Sequence, residues 1–183
     1  MPPRILLPRT PFLFTRPSPP CRHFFPAPPP LTITTTRTLP YTPPQLYTLV
    51  ADINAYASYL PYCLGSTIIT RSPIDNSPTS ADLKVGWGQY VETFRSKVFC
   101  DSKKWEVRAD ASDNPLFDVL VARWVLKARG EGVTDVGLTV EVGFGNPLYR
   151  AVAGGVVPKV AEIMVEAFEK KARMALGTNK IAS

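Results

Sequence analysis

Residues 135–144 constrain the fold more than any other stretch, because apolar and polar residues alternate there without a break. Val136, Leu138, Val140, Val142 and Phe144 fall on one face of the β-strand that this pattern predicts at 133–144. A strand with one apolar face must bury that face against a second layer of structure. The sequence therefore predicts a sheet that is covered on one side.

The C-terminal segment at 146–176 supplies the predicted cover. Asn146 and Pro147 are typical of the N-cap and the first position of a helix. Gly154, Gly155 and Pro158 predict that this helix is kinked or broken into two pieces. Apolar residues recur at helical spacing and form one stripe: Leu148, Val152, Val156, Val160, Ile163, Met164, Ala167 and Phe168. We expect the stripe to pack on the apolar face of the sheet.

The remaining elements are read from β-branched runs, turn residues and helix-start signals. Thr42 and Pro43 begin a predicted helix, and a second short helix is predicted from Asn54 to Tyr59, before Pro61. Further strands are predicted at 31–38, 66–72, 81–87, 90–100, 104–110 and 119–128. The order predicts an α+β helix-grip fold. In this fold a curved antiparallel sheet of about six to seven strands wraps a long C-terminal helix, two short helices follow the first strand, and a cavity remains between sheet and helix.

The first thirty residues differ in composition from the rest. They hold eleven of the twenty prolines and four arginines, and the first acid of the chain is Asp52. Arginine without acidic residues favours a mitochondrial presequence at 1–30, and the alternative is a disordered proline-rich tail. We expect one domain at 31–177 and a flexible tail at 178–183. Without the first thirty residues the chain has seventeen Lys and Arg against fifteen Asp and Glu, so its charge does not favour nucleic-acid binding.

Several catalytic and metal-binding arrangements lack their residues in the predicted domain. The chain has one histidine, His23, which falls in the predicted presequence, and the domain has two cysteines, Cys63 and Cys100. Triads that depend on histidine are therefore excluded from the domain. Nor do the cysteines have the spacing of a zinc site. No apolar run approaches the ~20 residues of a membrane-spanning helix.

Several segments together resemble one protein family. The segments "LPYTPPQLYTLVADINAYASYLPYCLGS", "LKVGWGQYVETFRSKV", "PLFDVL", "VEVGFGNPLYRAV" and "MVEAFEKKA" are similar to the mitochondrial coenzyme Q-binding proteins of the START-like, polyketide cyclase-like superfamily. The resemblance spans about residues 36–176. It implies a protein that is not an enzyme, needs no catalytic cofactor or metal, and binds ubiquinone in an apolar cavity.

The same resemblance implies a place and partners for the protein. It predicts the mitochondrion, with the protein peripheral on the matrix side of the inner membrane, and a role as a quinone carrier in respiration and in ubiquinone biosynthesis. Proteins of quinone biosynthesis or of the respiratory complexes are further expected partners. Two alternatives stay open: a ribosome-associated protein like certain bacterial relatives, and a cyclase-like enzyme of the same fold.

Strand parity predicts which side chains line the cavity. Leu83 and Val85 share a face with Trp87. The full predicted lining is Leu60, Pro61, Tyr62, Trp87, Glu92, Phe94, Trp105, Trp124, Leu138, Val140, Val142, Phe144, Val152, Val156, Val160, Met164 and Phe168. The alternative for each apolar member is a place in a solid core. Trp124 either stacks on a quinone ring or is a core residue, and Glu92 points inward unless a bulge near Gly88 turns it outward.

The uncharged stretch "SYLPYCLGS" at 58–66 offers three interpretations. A reactive Cys63 is disfavoured, since the sequence places no base near it. We favour an apolar lip at the cavity entrance, and the alternative is a loop that folds back to seal the core. The predicted membrane-contact residues are Tyr59, Leu60, Tyr62, Leu64, Lys170 and Lys171. For the two lysines the alternative is ordinary solvated surface charge.

Overall fold

The computed structural model describes residues 29–87 and 90–177, and their side chains apart from those of residues 87, 90 and 147–157. The predicted presequence and C-terminal tail lie outside the described residues, apart from residues 29 and 30. The elements in chain order are β1 (Leu31–Leu39), α1 (Pro43–Ala51), a 3-10 helix (Ile53–Ser58), β2 (Cys63–Arg71), β3 (Pro78–Trp87), β4 (Tyr90–Asp101), β5 (Glu106–Asp110), β6 (Val119–Gly130), β7 (Val133–Gly143) and α2 (Pro147–Leu176).

The described strands form one antiparallel sheet of seven strands in the order β1-β7-β6-β5-β4-β3-β2. From β2 to β7 each strand pairs with the next one along the chain, as in a meander. β1 instead pairs with β7, with Leu31 opposite Val142 and Leu39 opposite Thr134. The predicted fold class is therefore confirmed, with β1 and β2 at the two edges of the sheet.

The core lies between one face of this sheet and α2. On β7, Val136, Leu138 and Val142 are buried, as the alternating pattern predicts. Thr134 is buried on the same face, where its hydroxyl donates a hydrogen bond to the carbonyl of Tyr41 at 2.6 Å. The buried residues of α2 recur every three or four positions: Ala161, Val165, Phe168 and Ala172. Phe168 is shared with the predicted stripe, whereas Val160, Ile163, Met164 and Ala167 are only partly buried.

The two short helices close one end of the core. Thr42 begins α1, and its backbone N–H donates to the side chain of Gln45 at 2.9 Å, as the helix-start signal predicts. Leu46 and Val50 of α1 and Tyr56 of the 3-10 helix are buried. These two helices therefore contribute to the same hydrophobic core as the sheet and α2.

Several limits of the elements differ from the predictions. β2 begins at Cys63 and not at 66. β3 begins at Pro78 and not at 81, because it pairs with β2 as far as Arg71. β5 begins at Glu106, and Trp105 adopts a left-handed backbone conformation (φ +53°) in the preceding turn. α2 is one continuous helix from Pro147 to Leu176 with Pro158 inside it, so of the two predicted alternatives, a kink or a break, the break does not occur.

Candidate ligand-binding site

A cavity of about 280 Å³ lies beside α2, at the end of the sheet where β3 turns into β4. Its walls come from the segment after the 3-10 helix, from β3 and β4, and from α2. The lining is mostly apolar and consists of Leu60, Pro61, Tyr62, Cys63, Leu83, Val85, Gly86, Glu92, Val160 and Met164. A concave, mostly apolar space with few polar groups is the usual form of a small-molecule site.

The first wall is held in place by backbone hydrogen bonds at both ends. The N–H of Leu60 donates to the carbonyl of Tyr56 at 2.8 Å, and the side chain of Leu60 is 6% exposed. Tyr62 has φ +66°, a conformation that costs a non-glycine residue energy and that turns the chain towards β2. The carbonyl of Tyr62 then accepts a hydrogen bond from the N–H of Gly86 at 2.9 Å. The segment 60–63 is therefore fixed against β3 as part of the cavity wall.

Gly86 allows this close approach. A Cβ atom at that position would lie 2.5 Å from the Cδ1 atom of Leu64. Leu64 therefore covers the backbone of β3, and its side chain remains 58% exposed. A larger residue at position 86 forces Leu64 to move away from the strand.

Glu92 lies at the opening of the cavity. It is opposite Val85 in the register of β3 and β4, and it shares strand parity with the buried Ser96 and Val98. The residue is exposed to solvent although it lines the cavity. Glu92 is therefore on the cavity side of β4, and the outward orientation considered from the sequence does not occur.

Burial controls the ionisation of two groups around the site. Partial burial raises the pKa of the Cys63 thiol, and the Sγ atom donates a hydrogen bond to the carbonyl of Gly65 at 3.5 Å. Burial, followed by the charge of Asp52, raises the pKa of the Tyr59 hydroxyl. Both groups are therefore neutral at pH 7, so the wall beside α2 carries no negative charge from them.

Four residues predicted to line the cavity lie in the core between the sheet and α2. Leu138 and Val142 are fully or almost fully buried in the sheet. Trp124 is 5% exposed, and its ring centroid lies 5.1 Å from that of Phe168 with the planes 44° apart. In this structure Trp124 and Phe168 contact each other, so the predicted stacking of Trp124 on a ligand has no support from its position.

Two other predicted residues form an aromatic cluster with one that the sequence interpretation missed. The ring centroid of Phe117 lies 6.0 Å from that of Phe94 and 5.2 Å from that of Phe144. Phe117 belongs to the loop between β5 and β6, where strand parity gives no information. Only its apolar character in the segment "PLF" could have indicated it.

The other lining predictions fall in three places. Trp105 packs edge-on against Tyr47 of α1 at 5.6 Å, because its turn conformation removes it from the strand face on which it was placed; its assignment to the lining is wrong. Val140 is partly buried on β7 and packs against the core. The side chains of Trp87, Val152 and Val156 lie outside the described residues.

The predicted membrane-contact residues divide between surface and interior. Leu60 is buried, so its assignment to a surface contact is wrong: the segment folds back at this point because the 3-10 helix ends there. Tyr62 and Leu64 are exposed. The remaining three lie on α2 or against it. Lys171 Nζ stands 5.7 Å over the ring of Tyr59, and Lys170 forms an ion pair with Glu166 at 2.9 Å.

Within the described residues no three His, Cys, Asp or Glu side chains stand close enough together to hold a metal ion. None of the helices in the described part of the chain has the length and apolar character to cross a membrane.

Residues 39–169 match the family of polyketide cyclases, dehydrases and lipid-transport proteins. The chain belongs to this family. The matched region runs from the last residue of β1 through most of α2. It therefore includes every wall of the cavity.

Two curated relatives in the family differ in function. The chain is 34% identical to the mitochondrial coenzyme Q-binding protein of Schizosaccharomyces pombe over 75% of this chain and 84% of that protein. It is 29% identical to a ribosome association toxin of Pseudomonas aeruginosa, over 76% of this chain and 93% of the toxin. The resemblance to coenzyme Q-binding proteins is thereby confirmed.

Solved structures share the fold of this chain at low sequence identity. A START superfamily protein from Mycobacterium smegmatis is 20% identical, with a TM-score of 0.66 over 78% of this chain and 97% of that one. The ZhuI aromatase/cyclase from Streptomyces sp. R1128 is 15% identical, with a TM-score of 0.71 over 82% of this chain and 99% of that one. These similarities establish the START-like architecture alone.

Proposed function

We propose that this chain binds ubiquinone, without transforming it, in the cavity between the 60–63 segment, β3, β4 and α2. The observation that carries the proposal is an apolar cavity of about 280 Å³ in a chain 34% identical to a named coenzyme Q-binding protein. A quinone ring is flat and largely apolar, so its affinity comes mainly from buried area, at about 0.8 kcal/mol for each buried CH₂ group of its tail.

Glu92 gives the cavity its polar group and thereby an orientation for the ligand. A quinone oxygen accepts hydrogen bonds, and the side-chain oxygens of Glu92 also accept them, so a shared donor between the two links them. A water molecule at the exposed opening supplies that donor. The quinone head therefore binds with one oxygen towards Glu92 and its ring between Val85 and Met164.

The ionisable groups of the cavity favour binding over catalysis. Because burial raises the pKa of Cys63, this thiol remains protonated at pH 7 and is a poor nucleophile. Glu92 faces solvent at the opening of the cavity. The described part of the chain contains no histidine that could exchange a proton with it. We therefore propose a quinone carrier that needs no catalytic cofactor.

A mitochondrial location on the matrix side of the inner membrane accompanies this proposal. The Schizosaccharomyces pombe relative is a mitochondrial protein. Tyr62 and Leu64 are exposed apolar side chains beside Gly86, next to the cavity opening. A bilayer surface would cover these side chains and place the opening beside the quinone pool.

The test compares two valines at the same end of β3 and β4, Val85 opposite Glu92 and Val91 opposite Gly86. Val85→Asp puts a charge into the cavity, whereas Val91→Asp puts the same charge on the exposed face of the sheet. Quinone in lipid extracts of the purified proteins is measured by mass spectrometry, and circular dichroism checks folding. We expect quinone with the wild type and Val91→Asp, and little with a folded Val85→Asp. Equal quinone in both variants would contradict the proposed site.

Ribosome association is the second candidate, because the toxin relative aligns over 93% of its own length. The face of the sheet opposite α2 argues against RNA binding. Its arginines are neutralised by neighbouring carboxylates: Arg95 pairs with Asp82 at 2.7 Å, and Arg123 pairs with Glu106 at 2.6 Å. Cosedimentation with ribosomes at low salt that disappears at high salt would favour this candidate over quinone binding.

A further inference from the structure

A second depression adjoins the cavity on the other side of Pro61. It has a volume of about 380 Å³ and runs between the end of the 3-10 helix and the C-terminal half of α2. Tyr59 and Pro61 form one side, and Ile163, Ala167 and Met174 form the other. We call this depression the α2 groove. Its floor is apolar, and the side chain of Met174 is 76% exposed within it.

The cavity and the α2 groove form one path. Pro61 lines both of them. On α2, Val160 and Met164 face the cavity, while Ile163 and Ala167 face the groove. These two stripes are neighbours on the helix surface, since residues three and four apart lie side by side. A chain leaving the cavity at Pro61 therefore enters the groove directly.

The cavity is too small for a whole polyprenyl quinone. A space of about 280 Å³ lies just below the roughly 300–1,000 Å³ of pockets that enclose whole drug-sized ligands. It accommodates a substituted quinone ring. The isoprenoid tail must then lie elsewhere on the protein or in the solvent.

The sides of the α2 groove are built and its rim is polar. Tyr59 packs edge-on against the buried Tyr56 at 5.9 Å and lies under the ammonium group of Lys171 at 5.7 Å. Lys170 and Glu166 form an ion pair along the rim at 2.9 Å, with both side chains solvated. An apolar floor between a fixed aromatic ring and a hydrated ion pair suits a flexible hydrocarbon chain, which needs no hydrogen bonds.

We infer that the α2 groove is a second subsite of the same ligand and holds the isoprenoid tail. The inference rests on the proposed function, because it assigns the ring to the cavity. From Val160 to Met174 the helix rises about 21 Å, at 1.5 Å per residue. The groove thus distinguishes quinones by tail length: a tail of a single isoprene unit stays near Pro61, and only a longer one reaches Met174.

The test uses the whole chain and a series of ubiquinones with tails from a single isoprene unit upward. Met174→Lys places a charge at the far end of the groove, where a cation also suits the C-terminus of α2, and Met174→Leu is the matched apolar control. Dissociation constants are measured by quenching of tryptophan fluorescence. For the wild type we expect affinity to rise by about thirtyfold for each added isoprene unit of five carbons that a half-open groove covers.

For Met174→Lys we expect the shortest quinone to bind within about twofold of the wild type, and the long-tailed quinones to bind about tenfold more weakly. Met174→Leu should follow the wild type at every length. Equal affinities of Met174→Lys and wild type for long tails would overturn the inference and leave quinone binding intact. If no quinone of any length binds the wild type, the proposed function fails first. If Met174→Lys loses only its binding to uncharged phosphatidylcholine vesicles and keeps its affinity for long-tailed quinones, the groove contacts a membrane and holds no tail.

Discussion

The position of Trp124 leads to a quantitative prediction, because the sequence leaves its role open between ligand contact and core packing. The indole is 5% exposed and stands 5.1 Å from the ring of Phe168. Truncating a buried aromatic residue to alanine typically costs 3–5 kcal/mol, from lost transfer free energy and from the cavity that remains. We therefore expect Trp124→Ala to lower the free energy of unfolding by about 4 kcal/mol.

A loss of this size approaches the whole stability of some domains, which lies at about 5–15 kcal/mol. Trp124→Phe keeps an aromatic ring in the same place, so we expect it to remain folded and to lose roughly 1–2 kcal/mol. A double-mutant cycle of Trp124→Leu and Phe168→Leu, in which each change removes one ring, isolates the ring contact. Its coupling energy should be about 0.5–1.5 kcal/mol, as for other aromatic pairs.

Urea unfolding followed by circular dichroism measures these changes, and quinone binding is measured on the same samples. If Trp124 is a core residue, Trp124→Phe loses stability and still binds quinone within about threefold of the wild type, a difference below 1 kcal/mol. The core interpretation is refuted by the opposite result, in which stability is unchanged and quinone affinity falls more than tenfold.

Three further predictions concern the frame of the domain and its titrating groups. Tyr41→Phe should cost about 1 kcal/mol of stability, because the buried Tyr41 hydroxyl donates a hydrogen bond to the carbonyl of Gly177 at 2.7 Å; an unchanged urea midpoint would contradict this. The Arg123 guanidinium lowers the pKa of Glu106, so this pair stabilises the fold above the unfolded pKa of about 4.3 and loses its contribution as the pH falls through the lower folded value. Glu106→Gln should lower the free energy of unfolding by less than about 1 kcal/mol at pH 7. In urea melts it should also reduce the loss of stability at acidic pH, and a pH dependence identical to that of the wild type would count against the pairing. In a chain with Cys21 and Cys100 replaced by serine, iodoacetamide should modify Cys63 more slowly at pH 7 than it modifies glutathione, because burial raises its pKa; faster modification would show an activated thiol.

The periodic parts of the sequence predict the fold well. The alternation on β7 places Val136 and Leu138 in the core because a paired strand has no other way to bury one face. The helix-start signal at Thr42 and the cover by α2 follow from equally local chemistry. Of the kink or break predicted for α2, the break does not occur, since tertiary packing of its C-terminal half outweighs the local effect of Pro158.

The candidate site is harder to predict, because parity fixes the face of a strand and not the space in front of it. Leu83 and Leu138 both point towards α2, yet Leu83 borders the cavity and Leu138 is buried without space beside it. Which case applies depends on where α2 lies along the sheet. Trp105 fails for a different reason: the strand pattern continues through it, but its backbone turns before β5 begins.

The pairing of β1 with β7 has a consequence for how the chain acquires its structure. Thr34 and Thr139 lie side by side although they are 105 positions apart, whereas β2 to β7 each find a partner nearby in the chain. Contacts at such separation are slow to form, because a long loop must close before they contribute any free energy. β1 is therefore synthesised first and incorporated last, and until residues 133–143 are available its threonine-rich edge has no partner. A nascent or newly unfolded chain passes through this stage with an open strand at its N-terminal end, where a chaperone has its best opportunity to bind.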